Sequence, residues 1–166
     1  MRLFAAIEMS DDMTEALLSV QDGMRRAKVR GNYTKRENFH ITLAFIGEYG
    51  DPDCVMDALE TVSSEPFDIS LDGLGSFGSL WWAGLTPKDA LTTLSRRVRR
   101  ALAQAGIPFD RKKFSPHITL IRQPDREEIP PVAVPPASMR VASFSLFRSD
   151  RGKSGVVYTE IASWNL

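Results

Sequence analysis

The chain has 166 residues, of which 21 are Lys or Arg, 21 are Asp or Glu and one is Cys. This length suits one domain that buries a core without a structural metal, and a lone cysteine excludes an intramolecular disulfide. Because the formal net charge is zero, the composition argues against a protein that binds long nucleic acid mainly through the phosphates of the nucleic acid. If the partner is a nucleic acid, we expect the protein to bind it locally, at one end.

The first elements predicted along the chain are a strand and a helix. The strand is "RLFAAIE" at 2–8, a run without the long apolar region and cleavage site of a signal peptide. The helix follows candidate caps at 10–12, with apolar residues at helical spacing from Met13 to Met24. Since no apolar stretch reaches the roughly 18 residues that span a bilayer, we expect a cytoplasmic protein without membrane segments.

The next elements complete a first half of the chain. Alternation over 38–46 predicts a strand, and a second helix is predicted at 52–63. The segments "FDISLDGLGSF" and "SLWWAGLT" then predict two strands that join near Gly78. Because side chains alternate across a strand, Trp81 and Trp82 are expected on opposite faces, with one packed inward.

The second half opens with a helix predicted at 88–105, which Gly106 and Pro108 stop. A strand with the tetrapeptide HITL follows, then a proline-rich loop at 129–136, and then "SFSLFRSD" and "VVYTEIASW" as a closing pair of strands. The order predicts two α/β lobes, each holding one HITL strand. Three basic clusters, "RRAKVR", "RRVRR" and "RKK", are interpreted as solvated helix faces or loops.

Both histidines of the chain lie in the same tetrapeptide, HITL, at 40–43 and 117–120. On a strand, His40 and Thr42 share one face, and the second copy repeats this arrangement. The opposite, apolar face is then predicted to hold Ile41, Leu43 and Phe45. If the lobes face each other, two imidazoles and two hydroxyls meet in one cleft, which is either wet or occupied by a polar ligand.

A pair of imidazoles suits displacement at phosphorus. With ordinary pKa values of about 6.5, one ring can be a neutral base while the other is a protonated acid. Two histidines without a nearby cysteine or carboxylate set are poor ligands for zinc, so we expect neither a metal nor a cofactor. The residues alone leave open which histidine is the acid, and a noncatalytic pair of strand histidines is the alternative interpretation.

These motifs and their flanks resemble the 2H phosphoesterase superfamily, which carries two HxTx motifs on a duplicated α/β fold. Within that superfamily, the sequence resembles the RNA 2′,3′-cyclic phosphodiesterases, long called 2′-5′ RNA ligases. The segments that carry this resemblance include "ENFHITLAFIGE", "SPHITLIR" and "FRSDRGKSGVVYTEIASW". The resemblance implies a single 2H phosphoesterase domain over 1–166. The fold implied is α+β, with two pseudo-symmetric α/β lobes whose antiparallel sheets line a central cleft.

The resemblance also assigns roles to single residues. It implies that His40 and His117 are catalytic, and that Thr42, Thr119 and Arg122 bind the phosphate. Strict alternation, however, puts Arg122 on the face opposite His117, so its role requires a bulge or a turn at the strand end.

Aromatic residues are the candidates for contacts to a base. Where the family often has an Arg-Trp pair, this chain has Asn32 and Tyr33. Tyr33, Phe4 and Tyr158 are candidates to stack on a base of the substrate, and packing in the core is the alternative for each.

The activity implied is hydrolysis of RNA 2′,3′-cyclic phosphate ends to 2′-phosphomonoesters, with reversible 2′-5′ ligation as a second reaction. The expected partners are RNA ends or nucleotides bearing a 2′,3′-cyclic phosphate, and the expected state is a monomer. Two alternatives stay open: a phosphodiesterase of small cyclic or 2′-5′-linked nucleotides, and a noncatalytic module that binds a nucleotide monophosphate.

Overall fold

Local sequence signals set the helix ends in the computed structural model, which describes residues 1–166. Helix α1 (Asp11–Arg26) begins where the Ser10 hydroxyl accepts a hydrogen bond from the Met13 N–H. Helix α2 (Pro52–Glu60) is capped in the same way by the Asp51 carboxylate. Helix α3 (Asp89–Gln104) ends before Gly106, whose positive φ of 73° suits a residue without a side chain. The three predicted helices are confirmed, and α2 ends before the predicted 63.

Nine strands form two antiparallel sheets, and a short 3-10 helix spans Arg36–Asn38. The four-stranded sheet has the order β3-β1-β8-β9, and the five-stranded sheet has the order β2-β6-β5-β4-β7. The strands are β1 (Arg2–Glu8), β2 (Asn32–Tyr33), β3 (His40–Glu48), β4 (Phe67–Phe77), β5 (Leu80–Thr86), β6 (Ile118–Arg122), β7 (Ser138–Val141), β8 (Ser143–Gly152) and β9 (Gly155–Asn165). Each sheet therefore contains one HITL strand, as predicted.

The lobes do not correspond to the two halves of the sequence, and this part of the prediction is wrong. Strand β1 is buried over five consecutive residues, so its backbone N–H and C=O groups need hydrogen-bond partners on both edges. Strand β3 takes one edge and the C-terminal strand β8 takes the other. In the second sheet, β5 from the first half pairs with the HITL strand β6. The short strands β2 and β7 lack a periodic signal and were not predicted.

Both HITL strands bulge at the leucine of the motif. In β6, Ile121 pairs with Trp81 and Thr119 pairs with Trp82, which leaves Leu120 without a partner. In β3, Ala44 and Thr42 pair with consecutive residues of β1, which skips Leu43. A bulge reverses the alternation of side chains beyond it. Both strands accordingly bury two consecutive residues after the threonine.

The core lies between the sheets and the helices. One cluster of 31 buried residues includes members of both sheets and all three helices. Helix α3 is fixed to β3 at its bulge, where the buried Ser95 hydroxyl donates to the Leu43 carbonyl oxygen at 2.7 Å. Trp81 is fully buried and Trp82 lies on the opposite face, as predicted. None of the helices combines the length and apolarity that a membrane crossing requires.

Candidate active site

The two HITL strands lie on opposite sides of one cleft. A cavity of about 590 Å³ is lined by His40 from β3 and by Thr119 and Arg122 from β6. An adjoining cavity of about 520 Å³ shares His40 and Arg122 with the first and adds Thr42. His117 directly precedes β6 and lines neither cavity, but it lies close enough to His40 for its charge to lower the pKa of His40. The fold therefore brings the residues of both motifs together.

The two histidines are held in the same tautomer by mirrored hydrogen bonds. Nδ1 of His40 lies 2.7 Å from the Asn38 carbonyl oxygen, and Nδ1 of His117 lies 2.7 Å from the Ser115 carbonyl oxygen. A carbonyl oxygen only accepts, so Nδ1 carries the hydrogen in both rings. The nitrogen left to exchange protons is Nε2 in each case. In His40 it lies 2.9 Å from the Thr42 hydroxyl oxygen.

Burial lowers the pKa of both histidines below the ordinary value of 6.5. The hydrogen bond to the Asn38 carbonyl acts in the opposite direction on His40, and the positive charges of His117 and Arg122 lower its pKa further. For His117, the backbone bond to Ser115 raises the pKa and the charge of Arg122 lowers it. Both rings are therefore biased towards the neutral form.

Arg122 lies on the cleft side because of the bulge at Leu120. It lines both cavities, while the two residues before it, Leu120 and Ile121, are fully buried. Simple alternation would place it on the outer face, so the bulge supplies the inward turn that its expected role requires. The corresponding residue of the first motif, Phe45, also faces the cleft. Its predicted place on the apolar core face is therefore wrong, for the same physical reason.

Phe4 packs against the His40 ring. It is 3% exposed, and its ring centroid lies 5.1 Å from that of His40, 5.4 Å from that of Phe147 and 4.9 Å from that of Tyr158. Phe4 lines the adjoining cavity, but three of its neighbours are rings and little of its own surface is exposed for a base to contact. Tyr158 meets His40 edge-on at 5.2 Å, and it lines both cavities.

Tyr33 lines the larger cavity but is held in place by neighbours. Its hydroxyl donates to the Val29 carbonyl oxygen at 2.7 Å, and the Arg25 guanidinium lies 4.2 Å from its ring centroid. One face of the ring is thus occupied by a cation. Burial is the main cause that raises the pKa of Tyr33, with the nearby Arg25 acting against it.

Several residues near the cleft were not predicted as parts of the site, among them Phe77, Trp82 and Lys35. Phe77, which is 45% exposed, meets His117 edge-on at 5.2 Å, and Trp82 lies 6.3 Å from the same ring. Lys35 donates from Nζ to the Ser154 hydroxyl at 3.1 Å and lines the larger cavity. The only sequence signal for these three residues was the turn at Gly78, which places Phe77 next to His117.

The charges that line the cleft are mainly positive. Arg122 and Lys35 line the larger cavity, which has no carboxylate in its wall. Arg2 and Arg151 add to Arg122 in the adjoining cavity, where Asp150 is the one acidic residue. Such a surface attracts an anion. No three of the chain's His, Cys, Asp and Glu side chains cluster closely enough to hold a metal ion.

Gly75 allows the Trp82 indole to lie flat on β4, and its replacement provides a test of this packing. A Cβ added at Gly75 would collide with the indole ring, so we expect Gly75→Ala to lower the free energy of unfolding by about 1–3 kcal/mol. Gly50→Ala is the matched control, because a Cβ there meets nothing within 4 Å. Urea unfolding measures both variants, and equal midpoints would contradict the packing described for Trp82.

Comparison with known proteins agrees with the two-motif cleft. The model of the 2′-5′ RNA ligase superfamily matches residues 15–153. The chain is 34% identical to the RNA 2′,3′-cyclic phosphodiesterase of Archaeoglobus fulgidus, covering 74% of this chain and 72% of that protein. It is 31% identical to the protein of the same name from Geobacillus stearothermophilus, over 72% of this chain but only 41% of the relative.

A solved structure extends the likeness to nearly the full length. The Escherichia coli protein LigT, crystallised with 3′-AMP, superposes with a TM-score of 0.83 at 27% identity, covering 99% of this chain and 97% of that one. The fold is thus the α+β arrangement of two antiparallel sheets that the sequence resemblance implied. Since the family model matches most of the chain and includes both HITL motifs, the chain belongs to the 2′-5′ RNA ligase superfamily.

Proposed function

We propose that the protein hydrolyses RNA 2′,3′-cyclic phosphate ends to 2′-phosphomonoesters without a metal ion. The observation that carries this proposal is the mirrored pair of imidazoles, each with Nδ1 bonded to a backbone carbonyl and Nε2 left for proton transfer. The names of the relatives support the substrate class. On this proposal residues 1–166 act as one domain, as a monomer and in the cytoplasm.

The reaction needs one proton taken and one proton given. One histidine accepts a proton at Nε2 from the attacking water while the water oxygen bonds to phosphorus. The bond from phosphorus to the 3′ oxygen breaks, and the other histidine donates the proton from its Nε2 to that oxygen. The products are a 2′-phosphate and a 3′-hydroxyl. In the same direction, with a 5′-hydroxyl in place of water, the same steps form a 2′-5′ linkage and leave a 3′-hydroxyl, and their reversal cleaves that linkage.

The remaining polar groups of the cleft stabilise the negative charge on the phosphate oxygens. Thr42 and Thr119 donate hydrogen bonds to nonbridging oxygens, and Arg122 gives two parallel hydrogen bonds in the manner of a guanidinium. The Thr42 hydroxyl lies 2.9 Å from Nε2 of His40, so the proposed role requires it to turn from the ring towards the phosphate. Phe77 and Tyr158, one beside each histidine, are the aromatic residues placed to contact the base.

The direct test is turnover of an RNA with a 2′,3′-cyclic phosphate end in the presence of EDTA. We expect hydrolysis at an undiminished rate. Parallel reactions with a 2′,3′-cyclic mononucleotide and a 2′-5′-linked dinucleotide separate the alternatives. A strong preference for either small substrate would favour a phosphodiesterase of small nucleotides, and binding without turnover of any substrate would favour a noncatalytic module. Loss of activity with EDTA, restored by zinc or manganese, would contradict the metal-free mechanism.

The pH profile follows from the direction of the histidine pKa shifts. Turnover needs one neutral and one protonated imidazole, so kcat/KM should trace a bell that reports the coupled pair in the free enzyme. Because burial lowers both histidine pKa values, the acid loses its proton at a pH below the ordinary histidine pKa of about 6.5. The maximum of kcat/KM should therefore lie below about pH 6.5. The bound phosphate anion favours the imidazolium, so the bell for kcat should lie at higher pH.

Steady-state kinetics across pH 4–9, at constant ionic strength, measures both profiles. A kcat/KM maximum above neutral pH would contradict the effect of burial on the two histidines. A profile without an alkaline limb would remove the need for a protonated acid. Thr61→Val, a change at a residue that lines neither cavity, is the control for general effects of pH on the fold.

A further inference from the structure

Two basic clusters that are separate in the sequence meet at a groove outside the cleft. The groove, with a volume of about 410 Å³, lies between α3 and the segment 109–114. Its wall contains four arginines and two phenylalanines, namely Arg96, Arg99, Arg100, Arg111, Phe109 and Phe114. None of the lining residues is acidic. The clusters that the sequence suggested were separate solvated faces therefore form one surface.

The positive charge of this groove is not neutralised within the chain. None of the seven cations of the two clusters forms an ion pair, and the hydrogen bonds of their side chains go to neutral groups. The one carboxylate of the segment, Asp110, accepts the backbone N–H of Lys112. Arg99, for example, donates to the Lys112 carbonyl oxygen at 2.7 Å, and Arg96 donates to the Thr93 hydroxyl at 3.2 Å. In a chain of zero net charge, this clustering creates a local field that attracts a polyanion.

Aromatic rings lie among these cations. The guanidinium carbons of Arg111 and Arg99 lie 4.9 Å and 5.9 Å from the Phe109 ring centroid. Phe109 and Phe114 are both partly exposed. A groove that combines guanidinium groups with aromatic rings suits single-stranded nucleic acid, whose phosphates pair with the cations and whose bases stack on the rings. An acidic peptide would use the cations but not the rings.

The groove adjoins the catalytic cleft along the free edge of β3. The Asp110 N–H donates to the Phe45 carbonyl oxygen at 2.8 Å, and the Phe45 side chain lines the cleft. Phe114 precedes His117 by three residues, so their Cα atoms are at most about 11 Å apart. One strand of RNA with its end in the cleft can therefore continue into the groove.

We propose that this groove is a second, noncatalytic site that binds the backbone of single-stranded RNA upstream of the reacting end. The inference rests on the proposed function for the position of that end. The groove holds the part of the strand that the cleft does not reach. It thereby gives the enzyme a preference for RNA ends over free mononucleotides.

The test uses the double variant Arg96→Gln/Arg100→Gln, since both side chains are exposed and line the groove. For a single-stranded RNA of about 12 nucleotides with a cyclic phosphate end, we expect KM to rise about three- to thirtyfold, with kcat little changed. For a 2′,3′-cyclic mononucleotide, KM and kcat should stay at wild-type values. The matched control is Arg26→Gln/Arg140→Gln, which removes the same charge from exposed sites outside both cavities and the groove.

Binding of the same RNA with a plain 3′-hydroxyl end keeps the proposal testable even if the proposed activity fails. The slope of log K against log salt should be shallower in the groove variant by about 0.7 for each phosphate that the replaced arginines no longer neutralise. An unchanged slope and unchanged KM for RNA would overturn the proposal. So would an equal effect in the control variant, an equal rise of KM for the mononucleotide, or tighter binding of polyglutamate than of RNA at the groove.

Discussion

Replacing His40 or His117 with asparagine is expected to lower kcat on a cyclic phosphate end by a factor of about 10² to 10⁴, the usual effect of losing a positioned acid or base. Asparagine keeps an amide near Nδ1, so it can retain the bond to the Asn38 or Ser115 carbonyl while it removes the proton exchange at Nε2. Single-turnover kinetics with saturating enzyme measures the chemical step directly. Thermal unfolding followed by circular dichroism checks that each variant is folded.

The two histidines are expected to act as one unit. The double variant His40→Asn/His117→Asn should therefore lose little more than either single variant, because removing one partner already disables the paired proton transfer. Each single variant should also lose one limb of the bell-shaped pH profile. A folded single variant with a rate near that of the wild type would remove that histidine from the mechanism.

Arg122→Ala is expected to lower kcat/KM about tenfold to a hundredfold, the range of one charged hydrogen bond to a phosphate. Arg122→Lys should restore the activity only in part, because the ammonium cannot give two parallel hydrogen bonds. The pH profile should move as well. The positive charge of Arg122 contributes to lowering the pKa of both histidines, so its removal should shift both limbs of the bell to higher pH.

Arg126→Ala is the control for this change, since that side chain donates to the Lys28 carbonyl oxygen and lines neither cavity of the cleft. It should leave the height and position of the bell unchanged. If Arg122→Ala matched the wild type, another cation of the cleft would have to bind the phosphate. Lys35 and Arg2 would then be the next residues to replace.

The sequence predicted most regular elements because their signals are local. The Ser10 cap, Gly106 and the apolar stripe of α3 act within a few residues of each helix. The HITL repeat likewise marked the strands that face the cleft. The pairing of β1 with β8 depends on residues about 140 positions apart in the chain, and no pattern within either strand specifies it.

The orientation of Arg122 shows why the site could be predicted only in part. Alternation along β6 is a local rule, whereas the bulge at Leu120 arises from the register against Trp81 and Trp82 on a neighbouring strand. The same applies to Phe45, which turns into the cleft beyond the bulge at Leu43. The basic groove was missed because Arg96 and Arg111 converge only when the chain after α3 folds back over the helix.

The most direct test of the proposed activity is the position of the phosphate in the product. A short RNA with a 2′,3′-cyclic phosphate end is incubated with the enzyme in EDTA, and the product is identified by phosphorus NMR. A 3′-phosphate-specific phosphatase provides the second measurement. We predict a 2′-phosphomonoester that resists the phosphatase, formed by wild-type enzyme and not by His40→Asn/His117→Asn. A 3′-phosphomonoester, or an unchanged cyclic phosphate, would contradict the proposed function.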